Sequence, residues 1–290
     1  MIIPELGDLE VQALTAERIR KWHLGLAKMA ARVRTRASAN QQHKHVQRED
    51  GADGTRRRRA TANRMLTTLK AALNLAWREG HTPSDAAWRR VEPFKGVDAA
   101  RVRYLTVAEC RRLINGCADD DFRRLVQAAL ATGCRYGELC RLTVADFNAD
   151  GGTIAIRQSK TSRPRHVVLN DESIALFRQW CAGRTADALL LTHDNGQPWA
   201  KSHQDLRMRA ACQRAGIKPP INFHALRHTW ASLAVMAGMP LMVVAKNLGH
   251  SSTRMVEAHY GHLAPSYIAD EIRRSAPKFG FKPGRKIVSL

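Results

Sequence analysis

The sequence predicts a mainly α-helical chain with a small β-sheet, an α+β fold. Most of its 290 residues fall into segments whose apolar residues recur every three or four positions, the period of an amphipathic helix. Two short runs, residues 153–157 and 166–169, alternate instead between apolar and polar side chains, as the strands of a hairpin do. Apolar residues make up 44% of the chain and charged residues 25%, a balance that excludes a fibre or a disordered tail.

The chain is strongly basic. Lys and Arg number 47 against 26 Asp and Glu, which gives a net charge of +21. The excess lies in both halves, with 19 basic against 11 acidic residues in 1–100 and 28 against 15 in 101–290. Such a surplus predicts a polyanionic partner, either nucleic acid or an anionic membrane surface. No apolar run is long enough to span a bilayer and no signal peptide pattern opens the chain, so we expect no membrane and a cytoplasmic location.

Two helices are predicted in the first half. One runs from Thr15, its N-cap, to about Ala31, and the other from Thr61 to Glu79, with Gly80 just past its end. Their apolar stripes are Ile19, Trp22, Leu26 and Met29 in the first helix, and Met65, Leu69, Leu73 and Ala76 in the second.

The stretch between these helices, residues 32–59, is predicted to be a loop. It contains nine basic residues and few apolar ones, and it ends in four consecutive arginines. That run is either a solvated loop or an arm that contacts the DNA backbone, and we favour the arm because further basic residues follow it outside the apolar stripe. The predicted DNA-binding residues are Arg56, Arg57, Arg58, Arg59, Arg64 and Lys70.

A linker is predicted at 96–103, and helices dominate the chain after it. Thr106 caps a helix, with Glu109 at the capping-box position, and a second helix runs from Asp121 to about Ala131 and stops before Gly133. The hairpin follows. Further helices are predicted at about 171–182, 203–215, 223–237, 240–248, 252–260 and 265–274.

Four short blocks in the second half carry the candidate chemistry. They are Arg135 with Glu138 after a glycine break, Lys160 in the hairpin loop with Arg163 and Arg165 as its rivals, His224 with Arg227 and His228 on one helix, and His250 followed by Tyr260. At helical spacing, Leu226 and Trp230 lie on one side of their helix and the two histidines with the arginine lie nearly opposite. These polar residues therefore form one edge that can face a ligand.

Fixed cations, a tyrosine and a single carboxylate suit metal-free phosphoryl transfer. A magnesium-dependent nuclease needs several carboxylates, and these blocks supply only Glu138. No P-loop occurs, and the zinc motif H-E-x-x-H is broken by Ala225. We therefore expect no metal and no cofactor. Arg135 and Arg227 can each hold a phosphate oxygen in fork geometry, and Tyr260 would be the nucleophile, its pKa lowered by neighbouring cations.

The four blocks resemble the catalytic signature of the tyrosine recombinases, the phage integrase family. The blocks, with the hairpin lysine, come in the family's order and spacing across about residues 100–275, and residues 60–80 resemble the family's core-binding domain. The resemblance implies a helical, SAM-like core-binding domain at 1–95, a catalytic domain at 104–275 and a C-terminal tail at 276–290. In the family a helix precedes the segment matching residues 4–7, so we expect the first domain to be truncated at its N-terminus.

The resemblance implies a site-specific recombinase that integrates or excises a prophage or mobile element through a 3′-phosphotyrosyl intermediate, without metal or ATP. The implied catalytic roles are Tyr260 as nucleophile, Arg135 and Arg227 as phosphate ligands, Lys160 as general acid, His224 for the tyrosine proton, His250 as hydrogen-bond donor to the phosphate, and Glu138 in support of Arg135 or His224. His228 is interpreted as a structural residue that buttresses its helix.

The implied partners are two double-stranded DNA attachment sites, held by a homotetramer at the nucleoid with the help of DNA-bending accessory proteins. Two other classes stay open: a DNA-binding regulator without turnover, and a monomeric enzyme like a type IB topoisomerase. The complete catalytic set argues against the regulator, because binding alone requires no tyrosine at this spacing. The separate basic module in the first half favours recombination.

Overall fold

A computed structural model describes residues 1–34, 43–46, 51–97, 103–157, 164–263 and 272–279. The chain forms two compact units, residues 1–100 and 101–290. In their described residues, each combines helices with a small antiparallel sheet, of two strands in the first unit and three in the second. The predicted fold class, mainly α with a small β-sheet, is confirmed.

The first unit is built on two long helices. Its helices are α1 (Ile3–Leu6), α2 (Ala16–Lys28), α3 (Ala52–Arg78) and α4 (Ala86–Arg89), and its strands are β1 (Ala31–Arg34) and β2 (His43–Val46). Thr15 caps α2 as predicted, its hydroxyl accepting a hydrogen bond from the Arg18 backbone N–H at 3.2 Å. Strands β1 and β2 pair antiparallel, with Ala31 opposite Val46.

The core of this unit joins α2 to α3 and α4. From α2 it takes Ile19, Trp22 and Leu26, which pack with the α3 residues Ala62, Leu66, Leu69 and Leu73 and with Trp88. Each fully buried leucine contributes on the order of 2 kcal/mol. The sequence predicts Met29 on the same stripe, but Met29 follows the last turn of α2 and is 40% exposed.

The predicted loop at residues 32–59 is wrong in two places. Strands β1 and β2 lie in its first half, and α3 begins at Ala52 rather than at Thr61, so the four arginines are helical. Arginine is a good helix former, and Asp53 in the first turn of α3 pairs with Arg56 and Arg57 at distances of 2.6 and 2.5 Å. Composition alone hid this helix, because its first two turns carry no apolar stripe.

The second unit contains the remaining helices. They are α5 (Val107–Gly116), α6 (Asp120–Thr132), α7 (Tyr136–Leu139), α8 (Asp171–Cys181), α9 (His203–Arg214), α10 (His224–Met236), α11 (Leu241–Leu248) and α12 (Arg254–Tyr260). The capping box of Thr106 and Glu109 forms at α5 as predicted. Most of the helix predicted at 265–274 falls outside the described residues.

The sheet of this unit contains one strand that the sequence did not predict. Strands β3 (Phe147–Asn148), β4 (Thr153–Ile156) and β5 (Arg165–Val168) pair antiparallel in that order, with Ile154 opposite Val167. The hairpin of β4 and β5 is confirmed. Strand β3 has only two residues, too few to show an alternating pattern.

Helix α10 belongs to two hydrophobic clusters, and this places its polar edge. Leu226 is fully buried in the main core, against which α6 also packs. Further along α10, Ala231 and Val235 form a second cluster with α11 and α12, and this cluster contains Tyr260. The first turns of α10 therefore lie where the ends of α6, α11 and α12 come together.

Candidate active site

Arg135 is positioned by the turn that ends α6. Gly133 closes that helix with φ +65°, and a Cβ there would lie 2.9 Å from the Trp230 ring. Arg135 then stands at the N-cap of α7, where Glu138 binds it twice: one carboxylate oxygen accepts from the backbone N–H and the other from Nη1, both at 2.9 Å. The two residues that the sequence paired are therefore in direct contact.

Arg165 is the second cation on Glu138. Its Nη2 lies 2.8 Å from Glu138 Oε2, and both side chains are almost fully buried. Burial would raise the pKa of Glu138, but the hydrogen bonds from Arg165 and Arg135 and the charge of Arg165 outweigh it and lower the pKa to about 2. The carboxylate is thus charged at neutral pH and already neutralised by arginines.

Arg165 also fixes the loop after α11. Its Nε donates to the Asn247 backbone carbonyl at 2.8 Å, and a Cβ on Gly249 would come within 3.0 Å of the guanidinium. Asn247 in turn donates from its side chain to the Thr132 carbonyl at 3.3 Å. The sequence offers Arg165 only as a rival of Lys160, because its pairing with a carboxylate 27 residues earlier leaves no local signal.

Arg227 lies at the centre of the site and is only 4% exposed. Its Nη1 donates to the Gly133 carbonyl at 2.9 Å, and its Nη2 donates to the Leu248 carbonyl at 2.7 Å. Burial, followed by the charge of Arg135, lowers the pKa of Arg227 to about 10, so the guanidinium stays cationic at neutral pH. Arg227 thereby holds the ends of α6 and α11 together.

His250 is held against Arg227, with its Nε2 3.0 Å from Arg227 Nη2. Burial, followed by the charges of Arg227 and Arg135, lowers the pKa of His250 to about 4. The ring is therefore neutral at pH 7, and a bare Nε2 facing a guanidinium puts the proton on Nδ1. That Nδ1 is buried and has no hydrogen-bond partner among the described residues.

Tyr260 ends α12 with its side chain inside the protein, 3% exposed. Its hydroxyl oxygen lies 2.5 Å from His228 Nδ1. Burial raises the pKa of Tyr260 to about 12, and the charge of Arg227 offsets only part of that rise. The lowered pKa expected from the sequence is therefore wrong, because loss of hydration outweighs the nearby cation.

His228 and His224 stand one turn apart on α10. Their rings are in edge-on contact, with centroids 4.8 Å apart. Desolvation, followed by the charges of Arg227 and Arg135, lowers the pKa of His224. His228, interpreted from sequence as a buttress, is the residue that contacts the tyrosine hydroxyl. The sequence did place it on the polar edge of α10, and this was the signal that could have assigned it.

The site therefore brings together six of the predicted residues through direct contacts or through charge. They are Arg135, Glu138, His224, Arg227, His250 and Tyr260. Arg135 with Glu138, and Arg227 with His250, form two contacting pairs, and the charge of Arg135 acts on Arg227. Lys160, the remaining predicted catalytic residue, lies outside the described residues. So does its rival Arg163, whereas Arg165 belongs to β5 and is engaged with Glu138.

The predicted DNA-binding residues lie on α3 in the first unit and differ in what they contact. Arg57 and Arg64 are exposed. Arg58 is half-buried and donates from Nη2 to the Leu26 carbonyl at 3.2 Å, and Arg59 is exposed with its guanidinium 5.5 Å from the centre of the Phe94 ring. Arg56 donates to the Val97 carbonyl as well as to Asp53, and Lys70 is half-buried.

Two kinds of site are absent from the described residues. Among them, no group of three or more His, Cys, Asp or Glu side chains is arranged to hold a metal ion. Within the same ranges, no helix is both long and apolar enough to cross a membrane.

Comparison with solved structures identifies the class of fold. The Tn1549 transposon integrase in complex with a circular intermediate DNA superposes with a TM-score of 0.65 at 18% identity, over 91% of this chain and 86% of that one. A λ integrase dimer bound to a COC′ core site gives 0.60 at 19% identity, over 88% of this chain and 85% of that one. The chain thus has the fold of tyrosine recombinases.

Comparison of sequences identifies the family. The pattern of the phage integrase family matches residues 103–266, and the chain belongs to that family. The integrase of Salmonella phage P22 is 31% identical over 232 residues, which are 76% of this chain and 58% of that protein. The tyrosine recombinase XerC of Thermodesulfovibrio yellowstonii is 24% identical over 234 residues, 76% of each chain. The chain spans 58% of the length of the P22 integrase and of the XerA recombinase of Saccharolobus solfataricus.

Proposed function

We propose that the chain is a site-specific DNA recombinase that breaks and rejoins DNA through a 3′-phosphotyrosyl intermediate, without metal or ATP. One observation carries this proposal: Arg227, itself buried, holds a neutral histidine whose Nδ1–H has no partner in the part of the chain that the structure describes, and the tyrosine hydroxyl of the same site contacts a second neutral histidine. Arginines with an unused hydrogen-bond donor beside them can bind a phosphodiester, and a tyrosine beside a base can act as a nucleophile.

The phosphate of the scissile phosphodiester would bind between Arg135 and Arg227. The three contacts that Arg227 makes do not use every N–H donor of a guanidinium, and each charge-assisted hydrogen bond to a phosphate oxygen is worth roughly 1.5–3 kcal/mol. The Nδ1–H of His250 would donate to another phosphate oxygen, which gives that buried group a partner. Glu138 stays bound to both of its arginines and orients Arg135.

Tyr260 would attack phosphorus from the opposite side to the leaving 5′-oxygen. The attack forms a 3′-phosphotyrosyl bond and releases a 5′-hydroxyl, whose proton comes from Lys160 in the role that the family resemblance gives it. Attack on the same linkage by a 5′-hydroxyl from a second duplex reverses these steps and joins new strands. Because the phosphotyrosyl bond conserves the energy of the phosphodiester, the exchange requires no ATP.

The two units take separate parts in this proposal. The first is the core-binding domain, residues 1–95, and contacts the DNA backbone through the basic residues of α3. Residues 104–275 form the catalytic domain, after a linker at 96–103, and the tail at 276–290 contacts a neighbouring protomer. Four protomers would hold two duplexes, one tyrosine for each cut strand, with accessory proteins bending the DNA. Such a complex would work in the cytoplasm at the nucleoid and integrate or excise a prophage or mobile element.

Strand exchange tests this function against the topoisomerase alternative. The purified chain is mixed, in EDTA and without ATP, with two duplexes taken from the two ends of the element that encodes it. The proposal predicts recombinant products that carry one arm of each duplex. Relaxation of a supercoiled plasmid carrying those ends, with no recombinant product, would favour a monomeric topoisomerase instead.

A further inference from the structure

The tyrosine hydroxyl is bound by His228, not by the histidine that the family resemblance assigns to the tyrosine proton. His228 Nδ1 lies 2.5 Å from the Tyr260 oxygen, within hydrogen-bond distance. Helix α10 places His228 next to Arg227 and one turn after His224, whose ring meets His228 edge-on. Position on α10 therefore gives the two histidines different tasks.

The protonation states of the pair fix the direction of their hydrogen bond. Burial raises the pKa of Tyr260 to about 12, so the phenol keeps its proton at neutral pH. Burial also lowers the pKa of His228 to about 4, so its ring is neutral and has one bare nitrogen. A buried phenol proton needs an acceptor, and the nitrogen in contact with it is Nδ1. The phenol therefore donates and His228 Nδ1 accepts.

We propose that His228 accepts the proton of Tyr260 as the tyrosine attacks DNA, an inference that rests on the proposed function. As the bond from the tyrosine oxygen to phosphorus forms, the O–H bond breaks and its proton moves to His228 Nδ1. The bond from phosphorus to the 5′-oxygen breaks, and that oxygen takes a proton from Lys160, the proposed general acid. In the rejoining step, a 5′-hydroxyl gives its proton back to Lys160 and bonds to phosphorus, the bond from phosphorus to the tyrosine oxygen breaks, and His228 returns its proton to that oxygen.

The surroundings of His228 make this transfer depend on the substrate. After burial, four neighbours hold its pKa down: His224 and Arg227 on α10, His259 on α12 and His250 after α11. A phosphodiester bound at Arg227 brings a negative charge that offsets the cation in this group. His228 thus becomes a stronger base when DNA is in place, and the tyrosine stays protonated when it is not.

A comparison of two histidine variants tests the inference. His228→Gln can still accept a hydrogen bond from the phenol but cannot take its proton. His166→Gln is the matched control, because His166 lies exposed on β5 and is not among the groups that act on His228. Cleavage rates of nicked DNA from the ends of the element are measured in single turnovers from about pH 6 to about pH 9.

We expect His228→Gln to cleave about 100-fold more slowly than the wild type near neutral pH, with unchanged DNA binding. The deficit shrinks as pH rises, because hydroxide can then remove the phenol proton. His166→Gln stays within a few-fold of the wild type at every pH. A deficit of His228→Gln that is the same at all pH values, or a wild-type rate, would overturn the inference.

Two further measurements separate the possible failures. If the wild type forms no covalent adduct with DNA, the proposed function fails and the inference fails with it, whereas an active wild type beside an equally active His228→Gln removes the inference alone. Nitrogen-15 NMR of the histidines in the free wild type covers the case in which His228→Gln does not fold. We expect His228 to be neutral at pH 7 with a bare Nδ1, and a proton on Nδ1 would contradict the inference.

Discussion

Arg227 has a structural role as well as the role proposed for it in catalysis. It is buried and satisfies the backbone carbonyls of Gly133 and Leu248, which close α6 and α11. Arg135 is about one-third exposed. If Arg135 is removed, the Glu138 carboxylate still has Arg165 as a partner. The two phosphate ligands therefore differ in what their removal does to the fold.

Alanine substitutions at these arginines are predicted to separate catalysis from stability. Arg135→Ala abolishes cleavage and leaves both DNA binding and the melting temperature close to those of the wild type. Arg227→Ala also abolishes cleavage, but it costs about 1–3 kcal/mol of folding free energy for each buried carbonyl left unpaired. Thermal unfolding and cleavage assays on the same preparations check this. Normal cleavage by either variant would remove that arginine from the phosphate site.

At the scale of elements, the sequence predicted the helices and strands that have a pattern of their own. The cap of α2, the capping box of α5 and the β4–β5 hairpin all follow from residues within a few positions of each other. The start of α3 and the strand β3 could not be predicted in this way, because the first turn of α3 is polar and β3 has only two residues.

The candidate site was predictable to the same extent. Motif spacing assembled Arg135, Arg227, His250 and Tyr260, but the pairs that orient them, Arg165 with Glu138 and His228 with Tyr260, join residues 27 and 32 positions apart. The rise in the pKa of Tyr260 could not be predicted either, since burial is decided by the packing of three helices.

The turn between α6 and α7 is predicted to tolerate no side chain at Gly133. Both Gly133 and Gly80 follow helices with φ near +70°. A Cβ at Gly133 meets Trp230 and Leu248 at about 3 Å, whereas nothing lies within 4 Å of one at Gly80. Gly80→Ala is therefore expected to lower the free energy of unfolding by about 1 kcal/mol, through the backbone conformation alone. Gly133→Ala should lower it clearly more, and urea unfolding measures both. Equal losses would show that Trp230 and Leu248 give way.

Helix α3 is predicted to contact DNA through Arg57 and Arg64, two of its exposed arginines. Arg57 and Arg64 are seven residues apart, so they lie on the same side of the helix. Replacing both by Gln is expected to reduce the dependence of log Kd on log salt by about 0.9 for each lost phosphate contact. Arg58→Gln should lower the stability of the fold, because Arg58 donates a hydrogen bond to the Leu26 carbonyl. It should leave the salt dependence of log Kd unchanged. An unchanged slope in the double variant would contradict the role of this face.

At the scale of the whole molecule, the site combines a large positive charge with histidines that stay neutral. The net charge of +21 suits a polyanion, and within the second unit burial, together with the charge of Arg227, lowers the pKa of His228 and His250 to about 4. Without DNA, this arrangement makes the folded protein sensitive to acid.

Stability is predicted to fall as pH drops from about 6.5 to about 4. In the unfolded chain these histidines titrate near 6.5, so below that pH the unfolded state takes up protons that the folded state does not. Each histidine then removes about 1.4 kcal/mol of stability per pH unit until the folded pKa of about 4 is reached. Urea unfolding across this range checks the slope, which should be smaller in His228→Gln than in the wild type. A slope that His228→Gln does not reduce would contradict the assignment.

The central claim is that Tyr260 forms a covalent bond with DNA, and trapping that bond tests it most directly. The wild type and Tyr260→Phe, which retains the buried ring, are incubated in EDTA with nicked duplexes from the ends of the element, and the products are separated in denaturant. The account predicts a protein–DNA adduct for the wild type, with the DNA 3′-end linked to the peptide that contains Tyr260, and no adduct for the variant. An adduct of equal yield from Tyr260→Phe, or its absence from the wild type on every such substrate, would contradict it.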